Sequence, residues 1–473
     1  MTIISYTEKT IFYIFSVFML IISFLLCVCV TSSESTMPEI AHHFSTVTPY
    51  TIKYPEHDKF ENYEIVYSEL INRHGSRNPT EKKMIKFDKA VKLLKKFTNI
   101  EYTTEWDIKN EGQLCEMGEY ELQEIGKFYK KEFEKLYKDH SLNQINVSCT
   151  FKPRTHDSAV EFLRGFYSDD VEKYSMLFEN NEKQTFKEDN GKIKIQNMKK
   201  NEDIYLYFHK NCHRYNEYMK QEEIKKESKE YEKRVIPTLA NKLINKMKEK
   251  NLIKENVLND NVKMTEFEAK VEKSYQHLYR LAQYDYIVNK KTTGLIELFD
   301  VEDAKEMEFA KDLETYRTKN KVDTSTYYIA IPLLGSIMEN IKSHLPENYS
   351  NNYIQRNNSQ YIGNFRFAHA ETVTPLMTLL GINLDDYPIT MDMDPVLKEK
   401  RKWNMSKISQ FSTHFMFVLV KDKQEKYYIK TYFDQLPVKL PACPNDIMCP
   451  VNDFFTYYEK YTKDFNYHQY CEN

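Results

Sequence analysis

The chain has 473 residues, of which 41% are hydrophobic and 29% charged, enough for about two to three domain-equivalents with packed cores and too apolar for general disorder. Lys+Arg at 67 against Asp+Glu at 70 leaves a formal charge of -3, which argues against a nucleic-acid-binding protein while leaving room for a local basic pocket. Only 10 glycines are present, where average usage gives roughly 33; each survivor is expected where the backbone needs positive φ or a close approach.

Ile11 to Val30 read IFYIFSVFMLIISFLLCVCV, an uncharged run preceded by Lys9 and followed by TSSEST. This is the layout of a secretory signal peptide. The run is also long enough to span a bilayer, so an uncleaved anchor remains the alternative. Either one delivers the rest of the chain to the secretory lumen or outside. Beyond it stand Cys115, Cys149, Cys212, Cys443, Cys449 and Cys471, an even set that predicts three disulfides, with Cys443 and Cys449 as a local staple across PNDIM. No CxxC pair or zinc spacing occurs, so a metal reading is poor. The N-x-S/T sequons at Asn146, Asn348, Asn357 and Asn404 are candidate glycosylation sites.

EIVYSELIN, residues 64–72, is β-rich and bounded by a turn, and predicts a strand. From Glu81, Met84, Phe87, Val91, Leu94 and Phe97 recur at helical spacing, and Leu114, Leu122, Ile125, Phe128 and Phe133 do the same across 111–137. A short strand near Val147–Phe151 leads to a helix from Asp157. The alternation indicates an α/β domain. Residues 170–325 are charge-dense and helical, a mostly α-helical insertion whose Glu/Lys runs read as a solvated face. Strand-like segments return at Tyr327–Ile331, Tyr361–Ala368, His414–Val420 and Lys426–Tyr432, so the sheet is completed late in the chain. The expected organisation is a signal or anchor at 1–30, an α/β domain from 60–168 and 325–465, and a helical cap at 169–324.

The chemistry concentrates in RHGSRNPT, residues 73–80, directly after the first strand. His74 lies between Arg73 and Arg77, and Gly75 lets the backbone turn sharply. Two guanidinium forks match phosphate oxygens. An anion held by them sits against an imidazole nitrogen, a competent nucleophile towards phosphorus.

RHGSRNPT resembles the active-site signature of the histidine acid phosphatases, the second branch of the histidine phosphatase superfamily, and within it the multiple inositol polyphosphate phosphatases most closely. LCEMGEYELQEIGKFY, KPRTHDSAVEFLRGF (152–166) and FAHAETVTPLMTLLGI (367–382) resemble further blocks of that family, in its order. So do Cys443 and Met448-Cys449-Pro450. The resemblance implies a central mixed β-sheet flanked by helices. It implies His74 as the nucleophile that becomes a phosphohistidine, Arg73, Arg77 and Arg154 as phosphate-binding arginines, His369 as a second histidine on the phosphoryl group, and Glu371 as proton donor to the leaving oxygen. Asn78 stands where an aromatic is common, and Ala368 replaces a glycine. Phosphomonoester hydrolysis needs in-line attack, charge stabilisation on the equatorial oxygens and protonation of the leaving group, and this set supplies all three without a cofactor. The implied partner is a small polyanionic phosphate ester, such as phytate, lower inositol phosphates or 2,3-bisphosphoglycerate. Nucleic acid is not implied, and membrane attachment runs only through an uncleaved 11–30 segment. The competing readings are a broad-specificity acid phosphatase, a phosphate-ligand-binding protein on the same scaffold, and an anchored structural protein.

Overall fold

The strand after which RHGSRNPT follows lies near the middle of a single sheet. The computed structural model describes residues 37–58, 60–102, 106–138, 144–167, 195–346, 349 and 361–472. The apolar run 11–30 and the sequons at Asn348 and Asn357 lie outside these. Among the described residues the strands are β1 (Tyr63–Arg73), β2 (Ile145–Cys149), β3 (Ile195–Asn197), β4 (Gly363–Ala368), β5 (His414–Asp422), β6 (Tyr427–Phe433), β7 (Leu436–Val438) and β8 (Met448–Pro450). Their order is β3-β2-β4-β1-β5-β6-β7, with β8 on β6. β3, β2, β4 and β1 run parallel to one another, whereas β5 to β8 pair antiparallel, giving a mixed sheet.

The longer helices are α1 (Glu81–Phe97), α2 (Glu116–Glu132), α3 (Pro153–Phe166), α4 (Glu223–Glu249), α5 (Asn261–Asn289), α6 (Val301–Lys319), α7 (Ile331–Ser343), α8 (Ala370–Leu380) and α9 (Val451–Thr462). β5 explains why both sheet faces need helices. Its run HFMFVLV sends Phe415, Phe417 and Leu419 to one face and Met416, Val418 and Val420 to the other, and all six are buried. The first face packs with residues of α7, α8 and α9, such as Ile337, Leu376 and Phe454. The second packs with Leu122, Ile125, Phe162 and Phe166 of α2 and α3. Helices α5 and α6 both pack on α4, and α5 reaches back to α1.

The structure corrects several expectations. Tyr327–Ile331 is no strand: Asp323 caps a 3-10 turn, and Pro332 in the first turn of α7 opens a helix that buries Leu333, Leu334, Ile337, Met338 and Ile341. β3 falls inside the range read as helical insertion, yet pairs with β2 in the sheet. Residues before 60 are also integral, since Phe44, Val47 and Tyr50 are buried. Two disulfides form among the described residues, Cys212–Cys471 and Cys443–Cys449, rather than three. Cys115 and Cys149 are free and buried apart, Cys115 against the Ile287 carbonyl and Cys149 against Asn197, and burial pushes both thiols up to about 12. Asn404 is not an accessible glycan acceptor: it is buried, its amide donates to Glu308 and its oxygen caps Ser406. Asn146 is half-buried in β2, with its amide donating to Asn364. No helix among the described residues is long and apolar enough to cross a membrane.

α2 and α3 cross at two glycines, where a Cβ on Gly165 would stand 1.9 Å from the Gln123 carbonyl oxygen and one on Gly126 2.2 Å from that of Phe162. Gly165→Ala is therefore expected to destabilise the chain by roughly 1–3 kcal/mol, read as a lower denaturant midpoint. An unchanged midpoint would contradict a backbone-to-backbone crossing.

Candidate active site

Sheet topology brings distant sequence blocks to one edge. Arg73 pairs with Ala368 at the ends of β1 and β4, and the His74 N–H donates to the Ala368 carbonyl at 3.0 Å. The residues that follow each strand, His74 and His369, therefore meet, with ring centroids 5.5 Å apart. β2 ends alongside β4, with the Thr150 N–H on the Phe367 carbonyl, and leads into α3, which carries Arg154. Parallel strands that end together leave a crevice at their carboxyl ends, where open α/β sheets bind ligands.

The turn presenting His74 is built for close approach. A Cβ on Gly75 would meet the Gly118 carbonyl oxygen at 2.7 Å, and one on Gly118 would meet the Ser76 carbonyl oxygen at 2.2 Å. Glu121, one turn further along α2 and fully buried, grips the turn from beneath. Its carboxylate accepts the Ser76 N–H at 2.9 Å, the Ser76 hydroxyl at 2.6 Å, the Tyr50 N–H at 2.9 Å and the Ser412 hydroxyl at 2.8 Å. The Ser412 N–H in turn donates to the His74 carbonyl.

The His74 Nδ1–H points at the Gly75 carbonyl at 2.9 Å, which leaves the lone pair on Nε2. Burial, then Arg154, Arg73, Arg77 and His369, hold this imidazole well below its ordinary value, so it is neutral and nucleophilic. Arg73 is fixed by donating from Nη1 to the Thr46 and Ser409 carbonyls at 2.8 and 2.6 Å, with its guanidinium 4.5 Å from the Phe411 ring centroid. Arg77 donates to the Asn78 carbonyl. Burial pushes Arg73 and Arg154 down to about 10, still protonated at neutral pH. The Nε of Arg73, Arg77 and Arg154 is buried in each case and has no hydrogen-bond partner among the described residues.

His369 is engaged on both nitrogens: Arg154 Nη2 lies 3.3 Å from Nδ1 and the Thr150 hydroxyl 2.9 Å from Nε2. Burial and Arg154 hold it well below the usual histidine value. Glu371 occupies the first turn of α8, its side chain 45% exposed, with Lys319 Nζ 3.6 Å away on a side chain only 9% exposed. Burial acts to raise the Glu371 carboxyl, but Lys319, His209 and His369 outweigh it and hold it well below the carboxylate range.

The six residues expected to do chemistry are thus brought together, whereas Asn146, Asn404 and the six cysteines are not part of the site. Sequence reasoning missed Glu121, Thr150, His209 and Lys319, which carry no motif of their own. Among so many lysines it also could not single out Lys83, which belongs to a basic cluster beside Arg77. There Lys83 Nζ donates to the Tyr284 hydroxyl at 3.0 Å, and Arg280 has a buried Nη1 with no hydrogen-bond partner among the described residues. Burial acts to raise the Tyr284 phenol, but Lys83, Arg77 and Arg280 bring it down to about 7, while burial brings Lys83 down to about 8. Among the described residues no group of three or more His, Cys, Asp or Glu is placed to hold a metal ion.

The sequence model of the histidine phosphatase superfamily (branch 2) matches residues 64–434. Multiple inositol polyphosphate phosphatase 1 of Dictyostelium discoideum is 20% identical over 325 residues, which span 59% of this chain and 48% of that protein; the chain thus covers about half the length of that relative. The multiple inositol polyphosphate phosphatase of Bifidobacterium longum in complex with inositol hexasulfate superposes with a TM-score of 0.62 at 16% identity, over 87% of this chain and 96% of that one. The phytase from D. castellii superposes with a TM-score of 0.67 at 16% identity, over 94% and 91%. At these identities the superpositions establish the shared fold.

The electrostatics can be checked by titration. His74, His209 and His369 are expected to stay neutral in the free chain from about pH 7.5 to about 5.5, read from imidazole NMR signals assigned with single-histidine variants. A midpoint near the ordinary value of about 6.5 for any of them would contradict the geometry. The unfolded chain takes up protons there that the folded chain refuses, so the contribution of these three groups is complete above about pH 6.5 and is lost as pH falls.

Proposed function

The chain belongs to branch 2 of the histidine phosphatase superfamily, and from that premise we propose that it is a phosphomonoesterase acting on inositol polyphosphates. The observation that carries this reading is the neutral His74 imidazole, its Nε2 lone pair free, set among three guanidiniums with Glu371 nearby. In this reading Nε2 attacks phosphorus in line while Arg73, Arg77 and Arg154 hold the equatorial oxygens. When Arg154 turns to the phosphate it releases His369 Nδ1, which takes up a proton in the field of the bound anion and donates it as a hydrogen bond to the phosphoryl group. Glu371, a carboxylate in the free chain, is raised by the charge of the bound ester, takes up a proton and delivers it to the leaving oxygen. The same carboxylate then draws a proton from the water that hydrolyses the phosphohistidine.

The Lys83–Tyr284–Arg280 cluster favours a substrate with more than one phosphate, since it adds positive charge beyond that needed for the transferred group. Phytate and lower inositol phosphates fit this pattern, and 2,3-bisphosphoglycerate is a smaller ester of the same kind. The two disulfides and the 11–30 run support work in a secretory compartment. Helices α4 to α6 serve in this reading as a cap beside the sheet.

The test is phosphate release from phytate, 2,3-bisphosphoglycerate and a simple aryl phosphate. Wild type is expected to hydrolyse phytate, and His74→Ala to lose roughly a thousandfold or more; equal release by both proteins would overturn the nucleophile. Glu371→Gln should lose roughly 10²–10⁴-fold on phytate and less on the aryl ester, whose leaving group needs no proton. Lys83→Ala should raise KM for phytate roughly tenfold or more and leave the aryl ester nearly unchanged, as expected for one charge-assisted hydrogen bond. Hydrolysis confined to the aryl ester would indicate a broad acid phosphatase instead.

A further inference from the structure

His209 has no role in the scheme above, yet its place is tightly determined. The Asp203 carboxylate accepts the Leu206 N–H at 2.7 Å and the Tyr205 N–H at 3.1 Å. The Leu206 carbonyl accepts from the hydroxyl of Thr372, the residue after Glu371, at 2.6 Å. The Phe208 carbonyl accepts from the Tyr467 hydroxyl at 2.9 Å, and Cys212 is bonded to Cys471. A segment pinned this way holds its side chains as firmly as the sheet holds His74 and His369. It sets the His209 ring edge-on to His369, with centroids 6.1 Å apart, and against Tyr207 at 4.8 Å, itself 5.5 Å from His369.

His209 is 4% exposed, and its Nδ1 is buried with no hydrogen-bond partner among the described residues. Buried polar atoms are nearly always paired, because an orphaned one forfeits its hydrogen bonds to water. A phenylalanine would fill the same volume without that cost, so packing does not explain an imidazole here. Its electrostatic surroundings are those of the site: Glu371 attracts a proton onto the ring, and Lys210, Lys319 and Arg154 oppose it. Burial dominates and pushes the ring down to about 4, so it is neutral in the free chain and carries one N–H.

We propose that His209 contacts substrate: entry of the phosphate ester on the Glu371 side of the pocket uncovers Nδ1, which donates its N–H to an ester oxygen. The proposal rests on the phosphatase reading for the identity of the ester, but not for the presence of an anion. It adds a hydrogen-bond donor on the leaving-group side of the pocket, next to His369.

The test uses the full chain and inorganic phosphate, with His209→Asn, His209→Gln and His209→Phe. Asparagine sets its amide nitrogen close to the position of Nδ1, glutamine close to that of Nε2, and phenylalanine keeps only the volume. Calorimetric titration with phosphate is expected to show roughly tenfold or greater loss of affinity in the Phe and Gln variants and near-retention in the Asn variant. The same order is expected in kcat/KM for phytate, with thermal midpoints close to wild type. Wild-type affinity in all three variants would overturn the proposal, as would equal loss in all three accompanied by lowered thermal midpoints. Phosphate binding is read without turnover, so the two readings fail separately. A wild type that binds phosphate in the expected order but hydrolyses no ester would sink the phosphatase reading alone. Full phytate turnover in His209→Phe would sink this inference alone.

Discussion

Three guanidiniums gathered around one neutral imidazole set the terms for everything else in this protein. Like charges at such close range repel, and burial removes the water that would screen them. The arrangement stands because each arginine is fixed by what it donates to: Arg73 to the Thr46 and Ser409 carbonyls, Arg77 to Asn78, and Arg154 to His369. In each the Nε–H has no hydrogen-bond partner among the described residues. Such a cluster is largely preorganised for a phosphoryl group: Arg73 and Arg77 are held in place by the backbone carbonyls they donate to, and only Arg154 has to turn from His369. Burial first, and then the same field, keep the proton off His74, so the cations that bind the anion also help to keep the nucleophile ready.

Two carboxylates balance this charge, and their settings give them different work. Glu121 is buried, accepts four hydrogen bonds and ties α2, the Tyr50 segment and the Ser412 loop to the His74 turn. It fixes position and does not reach the pocket chemistry. Glu371 is open to solvent on one side and faces Lys319 on the other, so its proton affinity responds to what binds. A carboxylate fully satisfied by the fold has no reason to change protonation, whereas one held by a lysine and two imidazoles changes when a polyanion enters their field.

The parts of this site that were legible in the sequence are those where chemistry and chain order coincide. Arg73, His74 and Arg77 fall within five residues after a strand, and Arg154, His369 and Glu371 lie in blocks whose order resembles a known family. β5 was legible because a strand buried on both faces reads as a continuous apolar run, and β1 because it is rich in β-formers and stops at a turn. The same rule misled at Tyr327–Ile331, where an aromatic and branched run leads into α7 because Pro332 is preset for a helix start. Glu121, His209 and Lys319 were not legible. Each is one ordinary residue on a helix or turn, and only the crossing of α2 beneath the turn, the Cys212–Cys471 bond and the end of α6 bring them to the pocket.

The central claim is that His74 Nε2 takes the phosphoryl group. It is tested most directly by mixing the full chain with phytate, quenching in alkali within milliseconds and locating covalent phosphate by peptide mass analysis. The account predicts phosphate on His74, stable in alkali and lost in acid. Phosphate on any other residue, or none while the ester is being turned over, would contradict it.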